Sequence, residues 1–216
     1  MYFTADTPLP HENDIINDNY RLDYILLVTP TSILFLSTDL CDGSKKVLKF
    51  IKRFVGKEYR IENEVSITSC CNHPNIIKIY DDFEYKQFHV IVIDYTPYRC
   101  LYCIIHSHFP NGLPESTARE MFHQLLDGLN YTHSLSVIHR DIKTGNFLVF
   151  NPDLNNPLVR LTDFGYAQRL AYGELGNEYI GTPEYAAPEI FTKTKCMYFF
   201  EFSFSFSSLF NHFTEK

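Results

Sequence analysis

Three short blocks of residues, in a fixed order, constrain this chain more than any other feature. The first, His139 to Asn146, reads His-Arg-Asp-Ile-Lys-Thr-Gly-Asn, and Asp163-Phe164-Gly165 begins 17 residues after Asn146. The third, Gly181 to Glu189, reads Gly-Thr-Pro-Glu-Tyr-Ala-Ala-Pro-Glu. Each block alone is compatible with a solvated loop or a plain turn. Together they favour a site whose carboxylate and amide oxygens hold a hard cation and orient a hydroxyl for phosphoryl transfer.

Composition narrows the class of protein. The chain has 216 residues, a formal net charge of −7 and 45% hydrophobic residues, enough to bury one core or a small and a larger lobe. The acidic balance argues against nucleic acid or an anionic membrane as the main partner. No apolar run reaches the roughly 18 residues that a membrane span needs. Six cysteines without disulfide-framework spacing, and an N-terminus unlike a signal peptide, predict an intracellular, cytoplasmic protein, with the nucleus as an open alternative.

The hydrophobic pattern changes along the chain from strands to helices. Short β-branched runs predict strands at 47–51, 76–79 and 90–93, with a helix over 58–70 between the first two. Pro114 and Glu115 suit a helix start, and Thr117 with Glu120 predicts a capping box one turn later. The residues expected on the buried face of that helix are Ala118, Phe122, Leu125, Leu126, Leu129 and His133. A hairpin is predicted from strands at 147–149 and 159–162.

From about Tyr20 to Glu189 these motifs resemble the eukaryotic protein kinase family, serine/threonine branch. The resemblance implies an α+β, bilobal fold, with a β-rich N-lobe, an incomplete α-rich C-lobe and a hinge near Asp94 to Pro97. The implied domains are an N-terminal extension (1–19), the N-lobe (20–95), a partial C-lobe through the activation segment (96–190) and an aberrant tail (191–216). The implied activity is transfer of the γ-phosphoryl group of ATP, with Mg²⁺, to a serine or threonine hydroxyl of a protein substrate. Oligomeric state stays open.

The resemblance assigns roles to the polar residues of the three blocks. Asp141 is the expected catalytic base, and Lys143 is expected to steady the γ-phosphate. Asn146 and Asp163 are the expected metal ligands. Thr182 is expected to contact Asp141 and Lys143 as a structural support.

Lys49 is the expected ligand of the α- and β-phosphates, within a loose match to the Val-Ala-Ile-Lys motif. Lys52 is its rival, but a shift of three positions places Lys52 on the opposite face of the strand. Glu64 is the expected partner of Lys49, with Glu58 and Glu62 as alternatives on the same helix. The remaining residues expected to contact the nucleotide are Leu27, Leu34, Val47, Asp94, Tyr95 and Leu148.

The glycine-rich loop of the family is missing. It should occupy 27–34, where Leu27, Thr29 and Ser32 replace the three glycines and Pro30 removes a backbone donor. We therefore expect weaker nucleotide binding or poorer phosphate positioning. This departure raises an alternative, a pseudokinase that serves as an interaction module.

Two further alternatives concern other segments. The run Cys100-x-x-Cys103-x-x-His106-x-His108 is a compact set of zinc-ligand residue types, although structural zinc sites usually need a longer loop between ligand pairs. The Phe/Ser-rich tail after about Lys195 replaces the helices that the family would continue with, and translated intron is our interpretation of it. A truncated, inactive fragment is the corresponding functional alternative.

Overall fold

The structure is a computed structural model that describes residues 9–53, 58–170 and Thr182. The predicted tail (191–216), and the third motif block apart from Thr182, lie outside these residues. The chain divides into two compact units. The first, here called the sheet unit, contains the described residues up to Ser69 together with Lys78–Tyr95; the second, the helical unit, contains Cys70–Ile77 and the described residues from Thr96 onward.

The sheet unit is one antiparallel sheet with a single helix, α1 (Glu58–Ser69). Its strands are β1 (Ile15–Ile16), β2 (Tyr20–Val28), β3 (Ser32–Asp39), β4 (Lys45–Lys52), β5 (Ile79–Tyr85) and β6 (Phe88–Asp94). Their order across the sheet is β1-β2-β3-β4-β6-β5. The strand predicted at 76–79 is wrong except for Ile79. Ile76 forms an isolated parallel bridge with Leu161, and Ile77 donates its N–H to the Leu161 carbonyl at 2.9 Å, so both belong to the helical unit.

Alternation along β4 sorts its side chains between two faces. Leu48 and Phe50 are fully buried in an aromatic and aliphatic core. The Phe50 ring lies edge-on to Phe35 and Phe88, with centroids 5.6 and 5.9 Å away. Since successive strand residues point to opposite faces, Lys49 is directed away from this core. Because Leu48 and Phe50 pack into the core on one face of the sheet, Lys49 and the candidate site lie on the opposite face.

The helical unit contains two helices and two small antiparallel ladders. Its elements are α2 (Leu101–His108), α3 (Glu115–Ser134), β7 (Val137–Ile138), β8 (Phe147–Asn151), β9 (Leu158–Leu161) and β10 (Gln168–Arg169), with 3₁₀ turns at Thr144–Asn146 and Phe164–Tyr166. β8 pairs with β9, which confirms the predicted hairpin, and β7 pairs with β10. Among the described helices, none combines the length and apolarity needed to cross a membrane. A β-rich unit and a helix-bearing unit together confirm the α+β class.

The buried face of α3 is rotated from the predicted one. Its buried residues are Thr117, Ala118, Met121, Leu125, Gly128, Leu129 and Thr132. Phe122, Leu126 and His133 are only partly buried. The helix begins at Glu115 after Pro114, as expected. The capping box is wrong, because the Thr117 hydroxyl donates to the Leu154 carbonyl at 2.9 Å.

Asn75 joins the segment before β5 to the rest of the helical unit. Its side-chain amide donates to Gln124 Oε1 and to the Val159 carbonyl, both at 3.0 Å. Its own carbonyl accepts the Leu161 N–H at 2.8 Å. A Cβ on Gly128 would stand 3.3 Å from that carbonyl, so the absence of a side chain lets α3 pack closely here. This network holds β9, and the loop that follows it, against α3.

Candidate active site

Asp141 is a buried carboxylate that accepts four hydrogen bonds. Its Oδ1 accepts hydrogen bonds from the Thr182 N–H at 2.9 Å and the Thr182 hydroxyl at 2.6 Å. Its Oδ2 accepts from Lys143 Nζ at 2.7 Å and Asn146 Nδ2 at 3.0 Å. A carboxylate offers about four lone-pair positions, and these donors match that number. The side chain, which is 2% exposed, is thereby fixed in orientation.

The electrostatics of Asp141 reflect two opposing effects. Burial alone would raise the pKa of this carboxyl group, because it disfavours the charged form. Hydrogen bonds from Lys143 and Thr182, together with the positive charge of Lys143, outweigh burial and lower the pKa below its usual value. Asp141 is therefore an ionised hydrogen-bond acceptor at neutral pH.

Lys143 and Thr182 form a support around that carboxylate. Lys143 Nζ lies 2.7 Å from Asp141 Oδ2 and 2.7 Å from the Thr182 hydroxyl oxygen. The predicted contacts of Thr182 with both residues are confirmed. An ammonium group has three N–H donors, so after these two bonds it retains a third for an incoming oxygen.

The backbone segments that carry the two expected metal ligands, Asn146 and Asp163, are joined by one hydrogen bond. The Thr162 N–H donates to the Asn146 carbonyl at 2.9 Å, one residue before Asp163. Both N–H positions of the Asn146 amide are taken by Asp141, at 2.7 Å to its carbonyl and 3.0 Å to its carboxylate. The remaining group of that amide is its oxygen. An amide oxygen and a carboxylate are both groups that fit Mg²⁺.

His139 connects the loop that contains Asp141 to the loop that contains Thr162. Its Nδ1 accepts the Asp141 N–H at 3.3 Å, and its Nε2 lies 3.0 Å from the Thr162 carbonyl. A carbonyl can only accept, so Nε2 carries the proton. The buried ring also packs edge-on against Phe164, with centroids 4.8 Å apart. His139 lies in the motif, but its positioning role was not predicted from the sequence. The available signal was a histidine two residues before an acidic residue.

Backbone conformation also shapes these loops. Asp163 adopts the left-handed region, with φ 66° and ψ 67°, and Arg140 has φ 67°. Non-glycine residues seldom adopt positive φ, so each must be held by its surroundings. Arg140 is held in part by donation from its Nε to the Tyr166 carbonyl at 2.6 Å.

In the sheet unit, Lys49 pairs with Glu64 of α1. Lys49 Nζ lies 2.7 Å from Glu64 Oε1, and the side chains are 17% and 12% exposed. Glu64 is therefore the predicted partner that the structure brings to Lys49. The role of the pair towards a nucleotide stays a prediction.

The residues expected to contact the adenine in this unit share the Lys49 face of the sheet. Leu27 stands opposite Leu34, and Leu34 stands opposite Lys49, across three adjacent strands. Val47, two residues before Lys49, lies on the same face and is 7% exposed. Leu27 is 53% exposed. The register thus places an apolar surface beside the lysine.

The last three expected contacts have different environments. The Asp94 carboxylate accepts the Lys78 N–H at 3.1 Å and the Tyr80 hydroxyl at 2.8 Å, so its side chain is engaged within the sheet unit. Tyr95 is half-buried, and burial raises the pKa of its phenol. Leu148 lies in the helical unit, on β8 opposite Arg160.

A threonine-capped turn replaces the glycine-rich loop between β2 and β3. The Thr29 N–H donates to the Ser32 carbonyl at 2.9 Å. The Thr29 hydroxyl oxygen accepts the Ser32 N–H at 2.9 Å and the Thr31 N–H at 3.3 Å. Two amides at the tip of the hairpin are therefore directed at an oxygen of the loop itself. Sequence reasoning anticipated the lost glycines but not this hydrogen-bonded turn.

The zinc alternative at Cys100 to His108 lacks structural support. Within the described part of the chain, no group of three or more histidine, cysteine or acidic side chains is arranged to hold a metal. His106 Nδ1 lies 2.9 Å from the Tyr102 carbonyl, and the His106 ring is tilted by 32° against the Tyr102 ring, with centroids 4.0 Å apart.

Comparison with known proteins identifies the family. The protein kinase domain model matches residues 35–201, and the chain belongs to this family. The serine/threonine-protein kinase SIK2 of Gallus gallus is 38% identical over 133 residues, which are 61% of this chain and 16% of SIK2. The serine/threonine-protein kinase GIN4 of Saccharomyces cerevisiae is 36% identical over 132 residues, 61% of this chain and 11% of GIN4. A carbon catabolite-derepressing protein kinase of Candida glabrata is 33% identical over 159 residues, 72% of this chain and 25% of that protein. The chain thus spans a quarter or less of these curated relatives.

Replacement of Lys143 by methionine should raise the pKa of Asp141. The effect of burial would then be opposed by fewer hydrogen bonds and no adjacent positive charge. A carboxyl with a lowered folded-state pKa stabilises the fold above its unfolded value, near 3.9, and loses that contribution as pH falls through the folded value. Lys143→Met should therefore shift the onset of acid unfolding of the helical unit to higher pH. Carbon-13 titration of the aspartate carboxyls measures the pKa directly.

The matched control is Arg119→Met, which removes an exposed cation on α3 that pairs with Glu115. It should leave the Asp141 titration unchanged. An unchanged Asp141 pKa in Lys143→Met would contradict the electrostatic account.

Proposed function

We propose that this chain is the catalytic part of a serine/threonine protein kinase, which transfers the γ-phosphoryl group of ATP to serine or threonine hydroxyls of protein substrates. The observation that carries the proposal is the arrangement around Asp141. One buried carboxylate is held by Lys143, Asn146 and Thr182, in a chain whose relatives include serine/threonine kinases. The pseudokinase alternative is not favoured, because the residues expected for transfer are all present.

The residues of each unit have separable roles in this proposal. In the sheet unit, Lys49, oriented by Glu64, binds the α- and β-phosphates beside the apolar face of Leu27, Leu34 and Val47. In the helical unit, Asn146 and Asp163 hold Mg²⁺, and Lys143 contacts the γ-phosphate. Magnesium, when bound, offsets the negative charge of the phosphates.

Asp141 orients the acceptor and accepts its proton. A lowered pKa makes it a weak base, so its main contribution is to position the attacking hydroxyl. Its four internal hydrogen bonds mean that an acceptor alcohol must displace one of them. The Thr182 hydroxyl, 2.6 Å from Oδ1, is the donor closest in chemistry to a substrate side chain. Oδ1 is therefore where we place the acceptor hydroxyl.

Asp141→Asn should lower the rate of phosphoryl transfer by at least about 100-fold, the usual minimum contribution of a general base. An amide cannot take the proton and can hydrogen-bond the hydroxyl in the wrong sense. Transfer from γ-labelled ATP with Mg²⁺ to serine/threonine peptides is measured, alongside nucleotide affinity, which should change little. Asp127→Asn, an exposed aspartate of α3, is the matched control and should retain full activity.

If the unaltered chain binds nucleotide without transfer, the interaction-module alternative is correct. A transfer rate that Asp141→Asn leaves intact would remove Asp141 from the chemistry.

Lys49→Met should raise the dissociation constant for ATP by about ten-fold or more, since a hydrogen bond to a charged group contributes about 1.5–3 kcal/mol. Lys52→Met is the matched control on the same strand, directed to the other face. It should change the constant by less than about two-fold. Titration calorimetry with ATP measures both. A larger increase of the dissociation constant in Lys52→Met than in Lys49→Met would assign the phosphate contact to Lys52.

Thr29→Gly should tighten ATP binding more than adenosine binding. The substitution removes the hydroxyl that accepts the Thr31 and Ser32 amides, so both become available to phosphate oxygens. The ratio of the adenosine to the ATP dissociation constant is the readout, and it should rise several-fold. Thr31→Gly adds the same backbone freedom while keeping the Thr29 hydroxyl, and serves as the control. Equal effects of the two variants would show that flexibility alone matters.

A further inference from the structure

Two cysteines at the start of α2 have their sulfurs in contact. Cys100 Sγ and Cys103 Sγ lie 3.2 Å apart. Cys100 precedes the helix in extended conformation, with φ −83° and ψ 159°, and Cys103 lies in its first turn. This difference in backbone conformation directs both side chains to one side of the helix start.

The backbone at this pair is anchored on its N-terminal side. The Arg99 carbonyl accepts the Val149 N–H at 3.0 Å, and Cys100 forms an antiparallel bridge with Leu148. On the helix side, the Ile104 N–H donates to the Cys100 carbonyl at 3.1 Å. A disulfide has sulfurs about 2.05 Å apart, so the thiols need to approach by only about 1.2 Å from their present 3.2 Å. Small side-chain rotations on a fixed backbone can supply that movement.

Accessibility separates this pair from Cys71, the buried cysteine among those that the structure describes. Cys100 and Cys103 are both partly exposed, so a small oxidant can reach them. Cys71 is buried, and burial raises the pKa of its thiol to about 11, which keeps it protonated and unreactive. Cys41 and Cys70 are exposed, and Cys41 Sγ lies 3.7 Å from the side-chain oxygen of Asn19.

We propose that Cys100 and Cys103 form a redox-active dithiol, which a peroxide converts reversibly to an intramolecular disulfide. The site is a modification site separate from the residues assigned to phosphoryl transfer. The test of this proposal is therefore independent of the test of the proposed kinase activity.

The reaction balances as two successive displacements. The Cys103 thiolate attacks one oxygen of hydrogen peroxide, the O–O bond breaks, and the departing hydroxide takes up the thiol proton to become water. The Cys100 sulfur then attacks the Cys103 sulfenic acid, forms the S–S bond and displaces hydroxide, which leaves as water with the Cys100 proton. Two thiols are oxidised, and one peroxide is reduced to two waters. Burial raises the pKa of Cys100 and keeps it protonated, so the first attack is assigned to Cys103 and the resolving step to Cys100.

The sequence offers a direct assay on the full chain. Trypsin cleaves after Arg99 and Arg119, and the peptide between these sites contains Cys100 and Cys103 and no other cysteine. The chain is treated with a chelator, exposed to a small excess of hydrogen peroxide, alkylated with iodoacetamide and digested. We expect that peptide to lose two hydrogens and to escape alkylation, and both changes to be reversed by dithiothreitol.

Cys103→Ser and Cys70→Ser are the matched variants. Cys103→Ser should abolish the disulfide and leave Cys100 alkylatable, whereas Cys70→Ser, which removes an exposed thiol of the same unit, should leave the disulfide unchanged. The disulfide is mapped in the unaltered chain, which needs no variant. The proposal therefore remains testable even if Cys103→Ser fails to fold. It is overturned if both thiols of the peptide stay alkylatable while Cys41 is oxidised. It is also overturned if the sulfurs are joined to other cysteines, or if protection appears only with a metal that the chelator removes.

Discussion

The candidate site depends on the neutralisation of one buried carboxylate. Asp141 is almost inaccessible to water, and a buried charge is tolerated only when it is paired and hydrogen-bonded. Its partners come from nearby in the chain (Lys143 and Asn146) and from 41 positions away (Thr182). These donors hold separate loops in one arrangement around the carboxylate. The hydrogen bonds that stabilise the buried charge of Asp141 also fix the orientation of its carboxylate.

The neighbouring groups follow from this arrangement. Both N–H groups of the Asn146 side-chain amide donate to Asp141. The amide oxygen is therefore the group that the proposed function assigns to the cation. His139 connects the Asp141 backbone to Thr162, and Thr162, the residue before Asp163, connects to Asn146. The sheet unit uses a similar principle at a smaller scale. Lys49 and Glu64 are both largely shielded from water, and each supplies the opposite charge that the other needs.

The family resemblance predicted the contacts of Thr182 with Asp141 and Lys143, and the pairing of Lys49 with Glu64, which the structure confirms. It did not predict the hydrogen bonds of Asn146 and His139 to Asp141. Packing was predicted less well. The buried face of α3 was misjudged because Thr117 and Thr132 are buried, which hydrophobicity alone does not anticipate. Their hydroxyls donate to the Leu154 and Leu129 carbonyls, at 2.9 and 2.8 Å, and this satisfies their polar groups away from water. Likewise the β-branched pair at 76–77 resembles a strand, but its hydrogen-bond partner is Leu161, a residue of the same unit that is distant in sequence, which a local pattern cannot reveal.

The turn at Thr29 shows why a motif substitution must be judged by its hydrogen bonds. Loss of glycine restricts the backbone, but the larger consequence is that two tip amides already have an acceptor. A phosphate that contacts them would exchange one hydrogen bond for another, and such an exchange yields little net free energy. In the proposed function, the attraction for phosphate must then come mainly from charge, through Lys49 and through the cation held by Asn146 and Asp163. We therefore expect nucleotide binding to depend strongly on magnesium and on ionic strength. The dependence should be stronger than in a kinase whose loop amides have no acceptor within the loop and donate to the phosphates.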